Sequence, residues 1–85
     1  MNPAPRKLGK WLRAVESAAR GDYRIETVSK SGSGQLLGYV EWYARWRTFQ
    51  FVPAAGTGFT WDCLRDLSVF VAELNQQRTT AGGVV

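Results

Sequence analysis

Histidine is absent from this 85-residue chain. With it go the commonest general base, the commonest neutral metal ligand and the side chain that titrates near neutral pH. The single cysteine, Cys63, can neither close an internal disulfide nor build a metal site alone, and it reads as a small core residue. No apolar run approaches the roughly 20 residues that cross a bilayer. Met1–Pro5 leads into charges rather than a hydrophobic stretch, so no signal peptide is expected. Acidic residues number 7 and are scattered along the chain, with no pair spaced for acid–base work. The expectation is a chain that is not an enzyme, needs no cofactor or metal, and works in a reduced intracellular setting.

What is present fits one small globular domain. Hydrophobic content is 45% and charged content 21%, which argues against global disorder. Four Trp, four Phe and three Tyr supply a large apolar area for so short a chain. The net charge of +4 is unevenly placed: residues 1–30 hold seven Lys/Arg against three Asp/Glu, and residues 31–85 hold four of each. That asymmetry is a hint about partners.

Six aromatic residues fall within positions 38–52. Gly38, Val40 and Trp42 alternate with Tyr39, Glu41 and Tyr43, then Phe49 and Phe51 with Thr48 and Gln50, the period of a strand with one buried face. Two antiparallel strands, near 35–44 and 47–52, are expected to meet at a turn over 44–47. Asp22–Ser29 is rich in strand formers and adds a third strand across the loop Lys30–Gly34. Trp42 is expected in the core of this sheet. Tyr39, Glu41, Tyr43, Arg45, Gln50 and Arg24 are expected to line its open face.

Residues 5–20 read as a helix, because Leu8, Trp11, Leu12, Val15 and Ala19 follow one apolar stripe, with Gly21 as its stop. A second helix is expected from the N-cap Thr60 through about Gln77, burying Leu64, Leu67, Val71 and Leu74. The order is then α-β-β-β-α, an α+β fold: a three-stranded antiparallel meander with two helices packed on one face. One domain covers 1–78, and 79–85 form a flexible tail.

Two surfaces stand out. The outer side of the first helix gathers Arg6, Lys7, Lys10, Arg13 and Arg20, a candidate phosphate-binding face for DNA or RNA or simply a solvated one. The open sheet face offers Tyr39, Tyr43 and Arg45, with Trp46 at the turn. These are the residue types that anchor protein interfaces and stack on bases, and tyrosines that pack across strands as well. Gly56-Thr57-Gly58 precedes a helix but lacks the lysine and spacing of a phosphate loop, so it reads as a turn.

The α-β-β-β-α order is similar to the double-stranded RNA-binding domain. That family's basic run at the start of the last helix is missing, since Thr60–Asp66 carries Arg65 against Asp62 and Asp66. A second resemblance covers residues 38–75. Gly38-x-Val40-x-Trp42-Tyr43-x-x-Trp46-Arg47-x-Phe49-x-Phe51-x-Pro53, followed by Thr57-x-Phe59-x-x-x-Cys63-Leu64-x-Asp66 and Leu74-Asn75, looks like small uncharacterised proteins of bacteriophages and prophages. The resemblance implies a mobile-element origin and a bacterial host's cytoplasm as the setting. By analogy with phage proteins of this size, it implies stoichiometric binding to a host protein or nucleoprotein complex, as inhibitors of host defence such as anti-CRISPR proteins do. A nucleic-acid-binding accessory protein acting through the first helix is the alternative.

Overall fold

A computed structural model describes residues 5–17, 21–28 and 34–81. The described residues form five strands and one helix: β1 (Arg6–Leu8), β2 (Leu12–Glu16), β3 (Tyr23–Thr27), β4 (Leu36–Tyr43), β5 (Thr48–Pro53) and α1 (Trp61–Ala81). The strands make one antiparallel meander in the order β1-β2-β3-β4-β5. This overturns the expected α-β-β-β-α order with a three-stranded sheet and two helices. The segment read as a first helix is the β1–β2 hairpin, except for residues 18–20, which lie outside the described residues.

The physical reason lies in Gly9. The hairpin loop is Gly9-Lys10-Trp11, and Leu8 and Leu12 sit directly opposite each other across it. A three-residue loop thus brings positions i and i+4 together, as one turn of helix also does. Gly9 has φ +65°, the left-handed region that glycine enters without penalty, and a side chain there would collide with the Asp66 carboxylate of α1. Beyond the loop, period two takes over: Leu12 and Ala14 are buried while Val15 is only half-buried. Pairing of β2 with β3 on one side and β1 on the other satisfies backbone groups that a short isolated helix would have to satisfy unaided.

Three cross-strand rows lie on the helix side of the sheet, Leu8–Leu12–Thr27, then Arg6–Ala14–Ile25–Gly38–Pro53, then Glu16–Tyr23–Val40–Phe51, and the pair Trp42–Phe49 continues them. The core joins Leu8, Leu12, Ala14, Ile25 and Val40 of these rows, with Leu37, to Leu67, Phe70 and Leu74 of the helix. Between Ile25 and Glu26 the β3–β4 register shifts, and Leu37 is the extra residue. At Gly38 a Cβ would stand 2.8 Å from the Phe51 ring, so the missing side chain is what lets that ring lie across the strand. Leu67 is buried as expected, but Trp42 is only half-buried, with the Arg78 guanidinium 3.8 Å from its ring centre and Phe49 edge-on at 5.3 Å.

The helix runs four residues past its expected end, to Ala81, so the first residues of the predicted tail have helical backbone; 82–85 lie outside the described residues. Thr60 takes the N-cap position, its carbonyl accepting from Leu64 N–H at 3.0 Å. Its hydroxyl donates to Asp62, and Asp62 accepts the Cys63 N–H at 3.0 Å. Backbone contact between helix and sheet is closest at the two edge strands, β5 and β1. Asn75 plugs the β5 edge: its Oδ1 accepts the Phe49 N–H at 2.8 Å and its Nδ2 donates to Thr48 Oγ1 at 3.0 Å.

Candidate functional site

With α1 on one side, the opposite face of the sheet carries no described helix. Two rows cross it: Lys7–Arg13–Glu26–Leu36 and Val15–Arg24–Tyr39–Val52. Shorter pairs, Glu41–Gln50 and Tyr43–Thr48, continue it towards the β4–β5 hairpin. Strand alternation places these side chains on the same side, with the hydroxyl of Thr48 at the β5 edge also reached by Asn75 of α1.

Glu26 is the hub of this face. It is 7% exposed and the one buried charged residue among those described. Arg13 Nε donates to its Oε1 at 2.5 Å from the neighbouring strand, and Arg24 Nε donates to its Oε2 at 2.9 Å from two positions along its own strand. Burial alone would push the Glu26 carboxyl up. The hydrogen bonds from Arg24 and Arg13, with the charges of both, outweigh burial and hold it below the ordinary value of 4.5. Arg13 is largely enclosed, whereas the Arg24 side chain is 45% exposed and reachable from solvent. Lys7, opposite Arg13 on the edge strand, is exposed.

Tyr39 stands directly opposite Arg24, and Tyr43 lies four residues further along β4, about 13 Å away at strand rise. Tyr43 makes an edge-to-face pair with Trp46, centroids 5.4 Å apart, and Trp46 is 73% exposed. The turn that presents Trp46 and Arg45 closes through Arg47 N–H to Ala44 O at 3.3 Å, with Arg47 at φ +53°. The hairpin thus holds an aromatic pair at one end of the open face, with Arg45 and Arg47 next to Trp46 in the sequence.

The residues assigned to a basic helix face are dispersed. Arg6 points to the helix side, where it pairs with Glu73 and lies 5.3 Å from the Phe70 ring centre. Lys10 sits in the β1–β2 loop, its ammonium 5.1 Å from the Trp11 ring. Arg20 lies outside the described residues. Lys7 and Arg13 face the open side, so the structure brings them onto the same surface as Tyr39 and Tyr43. With no first helix, the nucleic-acid reading tied to its basic side loses its element.

Sequence reasoning put Arg24 on the open face but missed the Arg13–Glu26–Arg24 cluster, because a helical reading of 5–20 separated Arg13 from β3. It expected Leu64 and Val71 to be buried with Leu67 and Leu74, but Leu64 is 51% exposed and Val71 half-buried, because both lie at the flank of the helix face that meets the sheet. It also missed Trp61 and Val69, which are exposed on the outward side of α1, where Arg65 lies 5.1 Å from the Trp61 ring. Among the described residues no group of three or more His, Cys, Asp or Glu is placed to hold a metal ion. No helix among the described residues is long and apolar enough to cross a membrane.

The chain is similar to an uncharacterised 9.3 kDa protein of Acholeplasma phage L2. The two are 28% identical over 64 residues, spanning 75% of this chain and 81% of the phage protein. That likeness supports a small protein of phage type and does not confirm the particular pattern read over residues 38–75. No family model matches the chain, and no solved structure does.

Proposed function

We propose that this is a non-catalytic, phage-type binding protein that acts stoichiometrically on a host nucleoprotein complex through the open face of its sheet. One observation carries the reading: a five-stranded face with no described element packed over it presents Tyr39 and Tyr43 beside arginines, with exposed Trp46 and Arg45 at its end. Tyr, Trp and Arg are the side chains that most often dominate interface energetics, because they bury much area for few rotatable bonds. Two further features support it. The likeness to a phage protein fits a chain made to meet host machinery, and a rigid sheet pre-orders the anchors before binding. Blocking a host defence complex in the bacterial cytoplasm, as anti-CRISPR proteins do, is the form of action such a binder would take.

The test is capture of a host complex on tagged protein, comparing the parent with a Tyr43→Ala, Arg45→Ala double variant and with Trp61→Ser on the far side. Central anchors cost roughly 2–4 kcal/mol each when truncated, about 30-fold or more in affinity. The double variant should release the complex and retain its melting transition, and Trp61→Ser should keep it. Loss of capture with Trp61→Ser alone would move the contact surface to α1 and sink the proposal.

A further inference from the structure

We infer that the ligand of the open face is single-stranded nucleic acid, its phosphates meeting Lys7 and Arg24 and its bases stacking on Tyr39 and the Tyr43–Trp46 pair. This rests on the open face being the contact surface and names what it grips within a nucleoprotein complex.

Charge is the first argument. Apart from Lys10 and Asp22, which lie between strands, the described charges are sorted by side. On the open face Lys7, Arg13 and Arg24 outnumber Glu26 and Glu41, and Arg45 and Arg47 flank its hairpin end. On the helix side the balance reverses, with Glu16, Asp62, Asp66 and Glu73 against Arg6, Arg65 and Arg78. Such a dipole turns the open face towards a polyanion and the helix side away from it.

Glu26 supplies the second argument. Its carboxylate takes a hydrogen bond from each of two arginines on adjacent strands, so their donors already converge on one anionic group. Arg24 remains 45% exposed beside that group, with guanidinium donors that a phosphate oxygen can reach. Lys7 extends the positive line to the sheet edge.

The aromatic rings decide between duplex and single strand. Tyr39 is 39% exposed and sits next to Arg24, and the Tyr43–Trp46 pair lies further along the same face. A ring can stack on a base only when the base is unpaired, and a broad sheet face cannot enter a duplex groove as a helix or a two-stranded ribbon does. Phosphate contacts from cations and base contacts from rings on one rigid surface are what binds a single strand with little sequence preference.

Fluorescence anisotropy with a labelled 15-nucleotide oligo(dT), a 15-nucleotide oligo(U) and a 15-base-pair duplex tests this at 50 and 200 mM salt. The single strands should bind at least tenfold more tightly than the duplex. With two phosphates neutralised, the logarithmic salt slope should be about −1.4, roughly a sevenfold loss over that range. Tyr39→Ala and Tyr43→Ala should each weaken binding about tenfold at unchanged slope. Lys7→Glu, an exposed edge substitution that leaves the core untouched, should flatten the slope. Glu26→Gln, which releases two arginines from their internal anion, should tighten binding severalfold and steepen it. Equal affinity for duplex and single strand, or tyrosine variants that bind like the parent, would overturn the inference. If the oligonucleotides fail to bind while the Tyr43, Arg45 variant still loses its host complex, the ligand assignment falls and the contact surface stands. If that variant also keeps the complex, both fall.

Discussion

Gly9→Ala separates two folds by the sign of its effect. In a helix spanning residues 5–20, alanine would replace an interior glycine and stabilise the protein by about 1 kcal/mol. In the observed hairpin the same residue has φ +65°, where a Cβ costs roughly 1–2 kcal/mol. The Cβ would also meet the Asp66 carboxylate, the far end of a short side chain that can swing aside by giving up its 3.9 Å approach to Arg65. That movement adds at most about 1 kcal/mol, since an exposed pair of this kind is worth little. Alanine stiffens the unfolded chain and returns roughly 0.4–1 kcal/mol. The net is a loss of about 1–2 kcal/mol.

For a domain of this size each kcal/mol moves the melting temperature by roughly 4–8 °C, so Gly9→Ala should melt about 5–15 °C below the parent. Thermal unfolding followed by circular dichroism, repeated in an Asp66→Ala background, divides the loss into its two causes. Removing the carboxylate should recover the collision share and leave the backbone share. A variant that melts above the parent would mean that residues 5–20 are helical and that the β1–β2 hairpin is wrong.

Phe70 is 2% exposed and meets Tyr23 edge-on at 5.1 Å, so Phe70→Ala should cost roughly 3–5 kcal/mol in urea unfolding. The adjoining Val69→Ala, on the outward side, should cost under about 0.5 kcal/mol, and similar losses at both positions would refute the assigned helix face. Glu26 has its folded pKa held below 4.5, so its ion pairs stabilise the fold fully above that value and less as pH falls through the depressed one. The stability gap between the parent and Glu26→Gln should therefore be constant from pH 6 to 8 and shrink below about pH 4.5, and a gap that widened in acid would contradict the arrangement around Glu26.

Strand alternation in 38–52 was legible because it has one cause. One face of β4 and β5 meets the helix and the other meets solvent, and no helical template fits that stretch as well. The inner set Val40, Trp42, Phe49 and Phe51 and the outer set Tyr39, Glu41, Tyr43 and Gln50 follow directly from the register. Residues 5–20 had two causes for one pattern. Leu8 and Leu12 share a face in a helix because they are one turn apart, and in the hairpin because the loop makes them partners. Trp11 should have broken the tie. A helix would bury it beside Leu8 and Leu12, but it sits in the loop, 54% exposed. No residue type announces that a tryptophan is left outside. The stronger local signal was Gly9, a poor choice inside a helix and a good one in a tight turn.

The hairpin also changes what the positive charge of the first third means. On a helix, Arg6, Lys7, Lys10, Arg13 and Arg20 would have formed one solvated stripe remote from the aromatic strands. On strands, adjacent residues part company, so Arg6 goes to Glu73 and Phe70 while Lys7 goes to the open face. Arg13 crosses to β3 and finds Glu26, which brings it alongside Arg24 and within one strand of Tyr39. Two surfaces that a helix would have kept apart become one, and the cation that joins them is Arg24. Arg24→Ala therefore tests their union. It should weaken phosphate contact and, by removing the guanidinium beside Tyr39, ring stacking as well, so its loss in oligonucleotide affinity should exceed that of Lys7→Ala. Equal losses at the two positions would leave Arg24 as one more surface charge and the two surfaces as separate features.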